Sequence, residues 1–198
     1  MRQLLLATRN AHKTQEFGEI LGPAFAVRDL SGEPEAPEIE ETGATFAENA
    51  ILKALGISKR FRGLVVADDS GLEVDALGGA PGVFSARYAG RNASDTENIT
   101  KLLSALRKFP NAEPFVARFR CVLAVARDGE LLNTVEGVVE GTIVDSPRGN
   151  FGFGYDPVFQ PIGFGQTFGE LESETKNKIS HRAVAIRALR SALSGALT

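Results

Sequence analysis

The stretch Leu64-Val65-Val66-Ala67-Asp68-Asp69-Ser70-Gly71 decides how the chain is read. Its apolar half reads as a buried strand. Its polar half is made of turn formers and reads as the turn that ends that strand. Carboxylates beside a core are costly unless a cation or a reacting group meets them. The sharper reading is therefore an acidic site at the C-terminal edge of a sheet, where α/β proteins bind ligands. The plainer reading is a polar turn and nothing more. Neighbouring strand residues face opposite ways, so only one of Asp68 and Asp69 can face a given site. Asp69, nearer the turn, is the candidate.

Working outward, residues 2–8 read as a strand and 11–21 as a helix. Asn10 is the candidate N-cap, Phe17, Ile20 and Leu21 form the apolar face, and Gly22 is the stop. A short strand spans Phe25–Asp29, followed by a Glu/Pro/Gly-rich loop over 31–44. Thr45 and Glu48 form a capping box that starts a second helix, expected to run to about Phe61. After the 64–67 strand, a separate strand is expected near Leu72–Val74. The run Gly78-Gly79-Ala80-Pro81-Gly82 reads as a loop. A helix over 94–108 carries Ile99, Leu102, Leu103 and Leu106 on one face, with Ser94 as its cap. Residues 115–126 form a long strand, and 131–144 its partners, with Asp128-Gly129 as the hairpin turn. A further short strand follows a glycine-aromatic stretch. The last helix runs from about Arg182 to Leu197 and shows Val184, Ile186, Leu189 and Leu193 as its apolar residues. The fold class is α/β: a long mixed β-sheet flanked by helices, with helical crossovers first and hairpins later.

The whole chain sets the bounds. Its 198 residues fit a single domain, 1–198, and 43% hydrophobic residues suffice for a core without metal or disulfide staples. A formal net charge of -3 argues against a generally basic nucleic-acid surface. Cys121 stands alone in an apolar run and reads as a small buried hydrophobe. No internal disulfide framework exists, which suits a reducing cytoplasm. The N-terminal apolar run is too short for a signal peptide, and no segment reaches transmembrane length. The expected protein is cytoplasmic, with no membrane or nucleic-acid partner.

Three further segments place polar groups at element ends. Thr8-Arg9-Asn10-Ala11-His12-Lys13 joins a strand to a helix N-terminus, where backbone N–H groups favour an anion. Lys13 in the first turn is disfavoured by about 0.3–1 kcal/mol, and a bound phosphate reverses that sign. The spacing is not that of a Walker A loop. Gly152-Phe153-Gly154-Tyr155-Asp156-Pro157 offers a Phe153 ring flanked by glycines, suited to stacking on a base at about 1–3 kcal/mol. Asp156 there can accept from ribose or base. Lys176-Asn177-Lys178-Ile179-Ser180-His181-Arg182 clusters cations just before the last helix, with Asn177 or Ser180 as its cap. On the acidic side, Glu40 and Glu41 close the long loop. Glu41 with Asp69 can hold a Mg²⁺ ion against a triphosphate, since hard cations take one or two carboxylates plus water and phosphate oxygens.

Taken together these motifs closely resemble the inosine triphosphate pyrophosphatase family. The carrying segments are ATRNAHK (7–13), EETGATFAENAILKA (40–54), ADDSGLEVDALGGAPGVFSARYAG (67–90), FGYDPVF (153–159) and KNKISHR (176–182). They follow the family's order and span nearly the whole chain. The resemblance implies hydrolysis of ITP, dITP or XTP to monophosphate and pyrophosphate, on a fold of two lobes with a cleft between them, in a homodimer. It implies substrate contacts from Thr8, Arg9, Asn10, Ala11, His12, Lys13, Ser70, Phe153, Gly154, Tyr155, Asp156, Lys176, His181 and Arg182. It implies Mg²⁺ at Glu41 and Asp69, with Glu40 the alternative to Glu41, and Asp69 as general base. Lys53 is a secondary phosphate contact and Ser85-Ala86-Arg87-Tyr88 part of the dimer contact. His181 and Arg182 are the donors expected to reward a purine C6 carbonyl. Arg9 departs from the pattern, standing where the bacterial branch commonly has glycine or serine. Two rivals are a Maf-like pyrophosphatase of other modified nucleotides and a nucleotide sensor without catalysis.

Overall fold

The computed structural model describes residues 2–195. In chain order the elements are β1 (Arg2–Leu6), α1 (Ala11–Leu21), β2 (Phe25–Asp29), α2 (Phe46–Ser58), β3 (Leu64–Val74), α3 (Asp95–Leu106), β4 (Phe115–Arg127), β5 (Glu130–Ile143), β6 (Phe159–Pro161), α4 (Ser173–Ile179) and α5 (His181–Gly195). The strands form one sheet in the order β2-β1-β3-β4-β5-β6. β1 pairs in parallel with β2 and with β3, while β5 and β6 run antiparallel. The mixed α/β sheet expected from the sequence is therefore present.

Local signals explain most boundaries. The Asn10 carboxamide accepts from the His12 and Lys13 N–H groups and starts α1. Gly22, at φ 70°, ends it. Thr45–Glu48 and Ser94–Glu97 form reciprocal capping boxes for α2 and α3. Asp128 and Gly129 both have positive φ, as a two-residue hairpin turn between β4 and β5 requires.

The expected turn at Asp68-Asp69-Ser70 is not there. β3 runs without a break from Leu64 to Val74, and absorbs the separate strand expected at Leu72–Val74. Alternation puts the two carboxylates on opposite faces, and each meets cations there. Nothing then forces the chain to turn. α2 stops at Ser58, short of Phe61, and the 131–144 region is one strand. α4 was not expected at all. It is short and polar, and it holds Asn177 in its interior, so Asn177 is no cap for the last helix. Of the last helix's expected extent, 196–198 and the Leu193 side chain lie outside the described residues.

The chain divides into two compact units. The first takes the chain up to Asp69, Cys121–Gly137 and the segment from Arg182 onward. Its core holds Leu4, Leu6, Phe17, Leu21, Val66, Leu123, Val125, Ile186 and Leu189. The second takes Ser70–Arg120 and Val138–His181. Its core joins Leu72, Val74, Leu102 and Leu106 to an aromatic cluster: Phe119 lies 4.6 Å from Phe159 between ring centroids, and Phe159 lies 5.3 Å from Phe168. Phe17 is fully buried in the first core. Phe17→Ala should cost about 3–5 kcal/mol. Urea titration of both proteins will read this as a lower midpoint, and an unchanged midpoint would mean that α1 does not pack as described.

Candidate active site

In the first unit, the β3 register aims Asp68 at a buried cluster. Asp68 Oδ2 accepts from Arg182 Nε at 2.8 Å, and Asp68 Oδ1 accepts from Lys13 Nζ at 2.5 Å. The Cys121 thiol donates to the same carboxylate at 3.3 Å, and Arg182 also pairs with Glu16. Asp68 and Arg182 are each only 1% exposed. Burial alone would raise the Asp68 carboxyl, but Arg182 and Lys13 outweigh it and hold it well below the usual range. Burial and the Asp68 charge push the Cys121 thiol up, so it is a small buried residue, as expected, rather than a nucleophile.

Asp69 points the other way into a different set. Lys53 Nζ, from α2, donates to Asp69 Oδ1 at 2.7 Å, to Glu41 Oε1 at 2.8 Å and to the Asp68 carbonyl at 2.9 Å. Asn49 is buried one turn earlier on α2. Its Nδ2 donates to Asp69 Oδ2 at 3.4 Å and its Oδ1 accepts from the Gly43 N–H at 2.8 Å. Burial pushes the Asp69 carboxyl up against the pull of Lys53. Burial opposes the Lys53 charge, yet Asp69 and Glu41 win and hold the ammonium charged.

Two carboxylates from distant segments thus converge on one cationic position. That donor set fits a hard dication, which takes one or two carboxylates and completes its shell with water and substrate oxygens. Among the described residues no group of three or more His, Cys, Asp and Glu side chains is gathered for a metal. Any ion here would rely on Glu41, Asp69 and non-protein oxygens. The loop acid that pairs with Lys53 is Glu41.

The Thr8–Lys13 segment also forms as read. The Asn10 N–H donates to Thr8 Oγ1 at 3.1 Å, and α1 begins at Ala11. Arg9 turns aside: its guanidinium donates to the Ala36 carbonyl at 2.9 Å and ties down the 31–44 loop.

In the second unit, Phe153, Asp156 and Lys176 come together. Asp156 Oδ2 accepts from the Phe153 N–H at 2.8 Å and from Lys176 Nζ at 2.6 Å. The ammonium sits 5.0 Å from the centroid of the Phe153 ring. The Phe153 ring was expected to stand free of neighbours, but Lys176 covers part of it as a cation–π partner. Asp156 Oδ2 thus ties the Phe153 amide to the Lys176 ammonium. Gly152 is required here, since at φ 73° an added Cβ would meet Asp156 Oδ2 at 2.0 Å. His181 is buried and stacks on Phe119 at 4.8 Å.

The Ham1 family model matches residues 4–192. The chain belongs to the Ham1 family. It is 52% identical over 190 residues to the dITP/XTP pyrophosphatase of Bacillus subtilis (strain 168), covering 96% of each protein. It is 51% identical over 197 residues to the dITP/XTP pyrophosphatase of Bacillus licheniformis, covering 99% of this chain and 100% of that one. The structure of a HAM1 protein from Coxiella burnetii matches with a TM-score of 0.87 at 43% identity, over 98% of this chain and all of that one. The resemblance read from the motifs is borne out, and a Maf-like assignment is set aside.

Sequence reasoning missed Glu16 and Asn49. Glu16 looked like one more polar residue of an amphipathic helix, and Asn49 like an ordinary helix position. Both sit on helix faces turned inward, a fact that only packing reveals. For this Ham1 protein the two neighbouring carboxylates should respond unequally to neutralisation. Asp68→Asn leaves a buried guanidinium short of a partner and should cost about 3–5 kcal/mol. Asp69→Asn removes a charge that burial already disfavours, and Glu41 still pairs Lys53, so it should cost less than Asp68→Asn. Chemical denaturation of the two variants decides this, and equal losses would contradict the opposed environments.

Proposed function

We propose that this chain hydrolyses non-standard purine nucleoside triphosphates (dITP, XTP and ITP) to the monophosphate and pyrophosphate. The observation that carries the reading is identity of about half, over nearly the full length, with proteins named dITP/XTP pyrophosphatase. The site chemistry supports it. The substrate is a small polyanion, and the first unit offers Lys13 and the N-terminus of α1 to phosphate oxygens.

In this reading Asp69 orients or deprotonates the water that attacks the α-phosphorus, and pyrophosphate leaves. Its raised carboxyl suits a base better than the firmly ionised Asp68, whose role is to hold Lys13. Glu41 and Asp69 would hold Mg²⁺, which when bound neutralises charge on the phosphates. Lys53 keeps those two carboxylates together. Thr8–Lys13 and Ser70 serve the phosphates and sugar, while Phe153–Asp156, Lys176 and His181 serve the purine. With Nε on Asp68 and a terminal nitrogen on Glu16, Arg182 acts first by positioning Asp68. A C6 carbonyl would be favoured over an amine, because a mismatched buried donor is left unpaired. We further infer a cytoplasmic homodimer that uses Ser85–Tyr88 and the neighbouring Phe84, 58% exposed. Among the described residues no helix is long and apolar enough to cross a membrane.

The test is pyrophosphate release from XTP, dITP, ITP, GTP and ATP, with and without Mg²⁺, by the native protein and by Asp69→Asn. The native protein should prefer XTP, dITP and ITP and should lose activity without Mg²⁺. Asp69→Asn should lower kcat by about 10²–10⁴-fold while staying folded. Nucleotide binding without pyrophosphate release would instead mark a sensor, and near-normal turnover by Asp69→Asn would remove Asp69 from the reaction.

A further inference from the structure

The loop that presents Phe153 is fastened at successive residues, and one fastener comes from the start of α3. The Gly154 N–H donates to Asp95 Oδ2 at 2.6 Å. Asp95 is the first residue of α3, 59 positions earlier in the chain. The Phe153 N–H goes to Asp156 at 2.8 Å, so two carboxylates hold consecutive amides on either side of the Phe153 carbonyl. Next along, the Tyr155 hydroxyl donates to the Ser85 carbonyl at 2.9 Å.

The platform beneath is itself rigid. Asn98, one turn after Asp95, is buried; it accepts from the Ala89 N–H at 2.7 Å and donates to the Ala86 carbonyl at 3.3 Å. Ser85 Oγ accepts from the Leu72 N–H at 2.9 Å. The first turn of α3 therefore grips the 82–89 segment through Asn98 and the Phe153 loop through Asp95. Asp95 does more than complement the helix dipole, for which any carboxylate in the first turn would do. Gly154 lies at φ 61°, a backbone state that needs an outside contact to select it over the many others glycine can adopt.

We propose that Asp95 is a positioning residue for nucleobase binding, acting through Gly154 to fix the Phe153 ring. The inference rests on the reading of Phe153 as a base-stacking residue. Loss of the Asp95 carboxylate frees the loop and weakens stacking, while the phosphate-side chemistry of Lys13 and Asp69 is untouched. Uniform loss of binding of this kind raises KM and leaves kcat in place.

The experiment measures KM and kcat for XTP with Asp95→Ala, Asp95→Asn, Phe153→Ala and the Asp95→Ala/Phe153→Ala double variant. Asp95→Ala should raise KM about tenfold, the scale of one lost stacking contact, with kcat within about twofold. Asp95→Asn keeps an acceptor oxygen and should recover most of that loss. The double variant should be no worse than Phe153→Ala, because both changes remove one interaction. If Phe153→Ala impairs KM and Asp95→Ala adds an independent loss, or if Asp95→Ala lowers kcat alone, the Asp95 role is wrong and the stacking reading stands. A Phe153→Ala variant with native KM would overturn the stacking reading and this inference together.

Discussion

A buried carboxylate must be matched by cations, and the pairing of Asp68 with buried Arg182 and part-buried Lys13 is where this protein meets that constraint. Unpaired, Asp68 or Arg182, each 1% exposed, would cost several kcal/mol. Paired, they draw together three segments remote in sequence: α1, β3 and the start of α5. Glu16 closes the set on the Arg182 side. The two acids and two bases balance formally, which lets the cluster sit beside an apolar core of Leu6, Val66 and Leu123.

This pairing has a consequence for its neighbour. With Asp68 fixed in β3 and facing one side, strand alternation fixes Asp69 on the other. Asp69 is then delivered to Lys53, Asn49 and Glu41 without a special loop. One residue is a firmly ionised anchor and the next is a carboxyl raised by burial. Two carboxylates adjacent in sequence so acquire different chemistry from environment alone. The cost of a charged strand interior is met by ion pairs on both faces.

Much of this was legible in the chain. Caps and glycine stops placed α1, α2 and α3 to within a few residues, because capping is a local interaction. Glu41 and Asp69 were legible as two acids suited to one cation, and Lys53 is the cation they share; the contact of Lys176 with the Phe153 ring was not read from the chain. What escaped was set by packing. Asp-Asp-Ser-Gly has the composition of a turn, yet it is strand because cations wait on both faces, and no local rule sees them. α4 lacks an apolar period to announce it. Arg182 was legible as a cation but not as a buried one, since its partners Asp68 and Glu16 are 114 and 166 residues away. Glu16, Asn49 and Asp95 read as ordinary helix residues until their partners were placed.

The position of water attack decides the chemistry. Single-turnover hydrolysis of XTP in ¹⁸O-enriched water, with both products weighed by mass spectrometry, tests that directly. Attack at the α-phosphorus under the control of Asp69 places the label in the nucleoside monophosphate and leaves pyrophosphate unlabelled. Label in pyrophosphate or release of orthophosphate would contradict it.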